Sequence, residues 1–282
     1  MLRALTIIGL FLAIIAPSSH ACDKAITLQV GPFFSTTFIH KYWQGFATDL
    51  SEQTGCAVHI RSSSSYERYL DTLLAREGEL FIVPNLYVQA LSHKGLKPAL
   101  VSSRSQQIYI LSRKNIKTIK TIGSSELIGD TILVASRFTQ AFLELKKWLE
   151  QQGLTGKVDF DFNHSHDSAA MLMLKGEFSS AVVLSSIYTS MPSYIQAKYQ
   201  AQLLEGKGGG AILVKSQASE ELITAINNSK ATLPFQTWSR PAIPYLSGEF
   251  AHIFQKQLNA YISGKQDNIN KHKPSDTLKS TN

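Results

Sequence analysis

The chain has 282 residues, of which 44% are hydrophobic and 17% charged, with a formal net charge of +7 and two cysteines. Such a composition can bury a real core and is not that of a disordered chain. The positive charge is spread along the sequence with no basic block interleaved with aromatics, which argues against a nucleic-acid partner and suits a small anionic ligand or an anionic membrane surface.

Arg3 gives a short positive start, residues 5–16 are almost unbroken apolar sequence, and Ser19 and Ala21 put small residues at the third and first positions before a cut after Ala21. Residues 1–21 therefore have the form of a cleavable secretory signal peptide, too short in its apolar run to span a bilayer; a membrane anchor is the alternative. A periplasmic, secreted protein is expected. Cys22 and Cys56 both survive the cut. In an oxidising compartment an even pair invites a disulfide. If residues 25–30 and 57–60 are neighbouring parallel strands, the two thiols lie at the same strand ends, within bridging reach. Lipidation of Cys22 is the rival reading, although Ser19-His20-Ala21 lacks the leucine usual three residues before a lipidated cysteine.

Strand-like runs then alternate with helix-like ones. Residues 25–30 read as a strand that breaks at Gly31-Pro32, and Phe38, Ile39, Tyr42, Trp43, Phe46 and Leu50 follow at helical spacing before Gly55. Residues 57–60 and 80–83 read as strands, 66–75 and 85–92 as helices, and 99–102 and 108–112 as extended. A second unit of the same kind begins with a strand at 131–135 and a helix carrying Phe138, Phe142, Leu145 and Leu149 on one face. Runs at 158–162, 168–174, 181–184 and 188–199 continue it. Residues 206–210 hold four glycines in five and lack the lysine and hydroxyl of a phosphate loop, so they read as a crossover. A strand at 211–214, helices at 220–231 and 249–262, and a polar, aperiodic, mobile tail at 264–282 complete the reading.

The pattern predicts an α/β fold of two lobes, each a mostly parallel sheet flanked by helices. Lobe one would contain residues 22–112 and 211–263 and lobe two residues 113–210, with hinge crossings near Arg113 and near residues 206–210. Hydroxyl-rich turns stand before four helices: Ser35-Thr36-Thr37, Ser62-Ser63-Ser64-Ser65, Ser136-Arg137-Phe138-Thr139 and Asn163-His164-Ser165-His166-Asp167-Ser168. In an open α/β sheet such turns lie beyond the carboxyl ends of strands, where ligands bind, and helix N-termini there carry free N–H groups and partial positive charge. Each turn alone reads first as an ordinary N-cap, and it is four of them, two in each proposed lobe, that point to a ligand. His164, His166 and Asp167 admit a metal reading, but no further cluster completes a site; Asp167 reads as an N-cap and His166 as a ligand donor or acceptor. No nucleophile elbow, cysteine–histidine pair or carboxylate pair suggests catalysis, so neither an enzyme, a metal nor a cofactor is expected.

With these landmarks the chain resembles the phosphonate-, phosphate- and phosphite-binding proteins of ABC importers, which have the type II periplasmic binding fold. The resemblance covers most of residues 25–235. It rests on Ser65-Tyr66, Pro84-Asn85-Leu86-Tyr87, residues 136–139, and His166-Asp167-Ser168-Ala169 before Leu174-Lys175-Gly176-Glu177. It implies that Tyr66 and Tyr87 touch a ligand from lobe one, and that Ser136, Thr139 and His166 hold an oxyanion from lobe two. Ser35, Thr36 and Arg137 join them as candidates from the turns. Where the family often has Asp three residues after Gly, this chain has Phe81 and Ser179. The second departure removes a carboxylate that pairs with a ligand amine, so a compact oxyanion fits better than an aminophosphonate. Arg137 departs from the small, glycine-containing continuation common in the family. The expected partners are a small anionic ligand and the membrane subunits of an ABC importer, with the protein a monomer. A sensor reporting to a membrane signalling protein is the main alternative, and an enzyme on the same scaffold a lesser one.

Overall fold

A computed structural model describes residues 22, 24–102, 106–113, 127–162, 165–229, 238–239 and 249–271; the leader (1–21), His164 and residues 272–282 lie outside these. Chain order begins with β1 (Ile26–Val30), α1 (Thr36–Thr54), β2 (Val58–Ser62), α2 (Tyr66–Ala75), β3 (Leu80–Pro84), α3 (Tyr87–Ser92) and β4 (Leu96–Ser102). It continues with β5 (Gln106–Ser112), β6 (Thr131–Val134), α4 (Gln140–Gln151), β7 (Asp159–Phe162), α5 (His166–Lys175), β8 (Ser180–Leu184), α6 (Ser185–Ser190), α7 (Ser193–Gln196) and β9 (Gln200–Gly208). The last elements are β10 (Gly210–Lys215), α8 (Glu220–Asn228), β11 (Trp238–Ser239) and α9 (Glu249–Lys271).

Two sheets result. The first has the order β11-β4-β10-β3-β1-β2 and the second β7-β6-β8-β5-β9. Parallel pairing joins β2, β1 and β3 in the first and β7, β6 and β8 in the second. The remaining pairs are antiparallel, so each sheet is mixed rather than mostly parallel. The antiparallel members include β5 and β10, the strands through which the chain enters the second sheet and returns to the first.

Three boundaries differ from the sequence reading. Residues 106–112 were expected in lobe one; β5 instead pairs with β8 and β9 in the second sheet. An apolar run alternates in the same way whichever sheet receives it, so local sequence does not decide the question. Residues 200–208 form a strand that the reading lacks, because Gln-Ala-Gln-Leu-Leu has little β-branched character and owes its conformation to pairing with β5. The C-terminal helix runs to Lys271, nine residues past the expected end at Ile262, so part of the presumed polar tail is helical. Its extension carries Lys265 to Asp71 of α2, at 2.5 Å.

Alternation along the strands loads both faces of each sheet. In β3, Leu80 and Ile82 join one core cluster with Trp43, Phe46 and Leu50 of α1, while Phe81 and Val83 join another with Tyr69, Leu70 and Leu73 of α2. In the second sheet Ile132 and Val134 pack under α4 and Leu133 under α5. One cluster crosses between sheets: Ala135, Phe138 and Leu143 lie with Tyr66, Leu86, Tyr87, Phe254 and Leu258. Gly55 ends α1 in the left-handed region, φ 69°, where a Cβ is strained. A disulfide joins Cys22 to Cys56, with a Cα separation of 5.0 Å, so Cys22 is bridged rather than free for lipidation. Among the described residues no helix is long and apolar enough to cross a membrane.

Candidate functional site

A cavity of about 120 Å³ lies where the two sheets face each other. The first sheet and its connections contribute Phe33, Phe34, Trp43, Tyr66, Ile82, Val83 and Pro84. The second contributes Gln106, Ile108, Thr139, Gln140, Ala141, His166 and Leu184, and the crossover Gly209 and Gly210. None of these side chains is an Asp, Glu, Lys or Arg, so the walls act on a ligand through dipoles and hydrogen bonds.

Three helices open onto the cavity with their first turns: α2 through Tyr66, α4 through Gln140 and Ala141, and α5 through His166. Their caps are local. Ser65 Oγ accepts from Arg68 N–H, Thr139 Oγ1 from Phe142 N–H and Ser165 Oγ from Ser168 N–H. Each cap satisfies the third N–H of its helix, while the earlier ones have no intrahelical acceptor. The Gln140 and Ala141 amides thus stand at the wall with the positive end of the α4 dipole.

Two titratable groups line the space. His166 is fully buried, and desolvation, partly opposed by a hydrogen bond to the Val182 carbonyl and by nearby Asp167, holds its imidazole down at about 4. Its ring is therefore neutral near neutral pH. Nδ1 has no partner among the described residues, so the bond to Val182 comes from Nε2–H and Nδ1 is left as an acceptor. Tyr66 is pushed well above the ordinary phenol range by burial, with Asp167 adding to the rise, and stays protonated. Its hydroxyl also lacks a partner among the described residues, as do Gln106 Oε1 and Gln140 Oε1. Four buried polar atoms on residues that line one cavity are costly unless a ligand or water meets them.

The candidates from sequence divide. Tyr66, Thr139 and His166 line the cavity. Ser136 is buried beside it, where its Oγ accepts from Phe138 N–H at 3.2 Å and its carbonyl accepts from the Thr139 hydroxyl at 2.8 Å. Arg137 is exposed and lies over the Phe162 ring, 5.1 Å from the centroid. Tyr87 is fully buried; it stacks on Phe254 at 4.1 Å and donates its O–H to the Phe138 carbonyl at 3.0 Å, which ties the sheets together. Ser35 and Thr36 do not line the cavity, and Thr36 is exposed. Asp167, expected as the cap of its own helix, caps another: its Oδ1 and Oδ2 accept from Ser35 N–H, at the start of α1, at 2.9 and 3.1 Å. Beside it His166 N–H donates to the Phe33 carbonyl at 3.2 Å. Phe33, Trp43, Gln106 and Gln140 carry no motif, and only their convergence in space marks them.

Two helix-flanked sheets, crossed twice by the chain and enclosing a cavity at the crossing, define a two-lobed solute-binding protein of the type II periplasmic class. The model of the ABC transporter phosphonate periplasmic substrate-binding proteins matches residues 28–229, and the chain belongs to that family. Its fold resembles PhnD1 from Prochlorococcus marinus, solved with methylphosphonate, at a TM-score of 0.56 and 14% identity over 85% of this chain and 84% of that one. It also resembles PA3383 of Pseudomonas aeruginosa, a binding protein component of an ABC phosphonate transporter, at 0.63 and 10% over 88% and 98%. XAC2383 from Xanthomonas citri, solved with ATP, gives 0.55 and 12% over 86% and 99%. At such identities the likeness establishes the fold. No curated protein matches the chain in sequence.

Proposed function

We propose that this chain captures a compact phosphorus oxyanion, of the size of phosphate, phosphite or methylphosphonate, between its lobes and hands it to the membrane subunits of an ABC importer. One observation carries the reading: three helix N-termini meet at a small cavity lined by Tyr66 and His166, whose hydroxyl and Nδ1 have no partner among the described residues. Partial positive charge from each buried helix end contributes up to about 2 kcal/mol, and each hydrogen bond to a charged group about 1.5–3 kcal/mol. Several acting together reach the roughly 8 kcal/mol of micromolar binding. An aminophosphonate is disfavoured because no carboxylate among the described residues lines the cavity and Asp167 is engaged with Ser35. Tyr66 O–H and the α4 amides grip the charged oxygens, and His166 Nδ1 accepts a proton-bearing one, which separates phosphate from sulfate. Export through residues 1–21 belongs to the same reading, and the Cys22–Cys56 bridge suits an oxidising compartment.

The test is thermal unfolding of residues 22–282, stripped of carried-over ligand by unfolding and refolding, against phosphate, phosphite, methylphosphonate, aminoethylphosphonate and sulfate. A ligand at a hundred times its Kd stabilises by about 2.7 kcal/mol, a rise of a few degrees. A shift with one of the first three and none with sulfate is expected. No shift with any phosphorus oxyanion would overturn the reading.

A further inference from the structure

The cavity offers more acceptors than an anion site needs. Gln140, 6% exposed, and His166, 3% exposed, both line it, and Gln140 Oε1 and His166 Nδ1 are both without a partner among the described residues. The direction in which Gln140 points is set by its neighbour one turn along α4, where Gln140 Nε2–H donates to Glu144 Oε1 at 3.3 Å. In that bond the carboxyl oxygen accepts, so the amide nitrogen faces Glu144 and the carbonyl oxygen is the atom left without a partner among the described residues, on a residue that lines the cavity. The His166 ring is fixed in the same sense by its bond to the Val182 carbonyl. Both atoms come from the first turns of helices in the second sheet's layer, among amides that draw the ligand's charged oxygens.

We propose that Gln140, aimed by Glu144, is a specificity-determining residue, and that with His166 it makes the cavity select an oxyanion that still carries a hydroxyl proton. The inference rests on the oxyanion reading above and adds to it which ionic form is taken. A fully deprotonated oxyanion sets its lone pairs against those of Gln140 and His166 and leaves both buried acceptors unmet. A singly ionised phosphorus oxyanion brings an O–H to them while its charged oxygens meet Tyr66 and the α4 amides. Selection is then by proton, at equal charge and equal shape.

Methylphosphonate near pH 5 and methanesulfonate form the discriminating pair: both are tetrahedral monoanions with one methyl group, and only the first has an O–H. His166 is mostly neutral there, being held at about 4. Titration calorimetry of the refolded chain is expected to give methylphosphonate an affinity roughly tenfold or more above methanesulfonate. Q140M, which keeps the side-chain length without the polar atoms, is expected to lower that ratio several-fold while its far-ultraviolet circular dichroism stays unchanged. E144Q, whose amide can donate as well as accept, lets the Gln140 amide turn and is expected to lower the ratio without loss of volume. Equal binding of the two anions by the unaltered chain overturns the inference and leaves the oxyanion site standing. A ratio untouched by both substitutions overturns the role of Gln140. Failure of methylphosphonate, phosphite and phosphate alike to bind removes the site reading and the inference together.

Discussion

Burial of single polar residues decides the chemistry here. His166 is neutral in the folded protein down to about 4, whereas in the unfolded chain it gains a proton near 6.5. Between those values the unfolded state binds more protons, so stability is complete above about pH 6.5 and falls as pH drops toward 4, by on the order of 3 kcal/mol for this group. Melting curves across that range are expected to show His166→Gln losing less stability on acidification than the unaltered chain; parallel curves would count against it. Tyr66 makes the opposite trade. Its hydroxyl is buried without a partner among the described residues, so Tyr66→Phe is expected to leave the ligand-free melting temperature unchanged or raised. The same change is expected to weaken oxyanion binding roughly tenfold, as seen by calorimetry. Of the cavity-lining residues, Tyr66 was named through the family resemblance, and Thr139 and His166 through hydroxyl and imidazole groups at the start of a helix as well. Phe33, Trp43, Gln106 and Gln140 were not, since aromatic and amide residues serve any core or surface and only shared space identifies them.

At the scale of elements, short-range signals worked where the cause was local. The serine and threonine caps of α2, α4 and α5 stand where the hydroxyl turns placed them. Thr139 accepts from Phe142 N–H, and Thr139→Ala is expected to cost about 1 kcal/mol in a denaturant melt, with a further loss of binding as the first turn of α4 frays. The Cys22–Cys56 bridge links the approach to β1 with the end of α1 across 34 positions. Its removal by paired serine substitution is expected to lower stability by about 2–4 kcal/mol, read by urea unfolding, with ligand affinity unchanged because the bridge lies away from the cavity. Long-range pairing was the weaker signal. Nothing in Gln106–Ser112 says which sheet takes it, and Gln200–Gly208 is a strand because β5 lies beside it.

The whole molecule is held closed around the cavity by contacts that no local pattern shows. Asp167 accepts the Ser35 N–H through both oxygens across 132 positions of sequence, His166 N–H reaches the Phe33 carbonyl, and Tyr87 O–H reaches the Phe138 carbonyl. Phe138 and Leu143 share a core cluster with Tyr87 and Phe254. Contact between the two lobes is thus partly written into the protein itself. Asp167→Asn removes a charge-assisted contact and is expected to weaken oxyanion affinity about 10-fold or more. Small-angle scattering of that variant is expected to show a larger ligand-free radius of gyration. An unchanged radius and affinity would mean that the aromatic contacts alone hold the lobes.

By itself the sequence determined the α/β class, the strand–helix alternation of each layer and the hydroxyl caps of α2, α4 and α5, and it narrowed the two cysteines to a bridge or a lipidated Cys22, because periodicity, capping and thiol count act over a few residues or by elimination. Tertiary structure alone decided that β5 belongs to the second sheet, that Tyr87 and Ser136 serve packing and backbone bonds, that Arg137 faces outward, and that Asp167 caps a helix of the other lobe. Those outcomes depend on contacts between residues far apart in the chain, whose partners are chosen by burial and hydrogen-bond satisfaction across the whole fold rather than by any signal either residue carries.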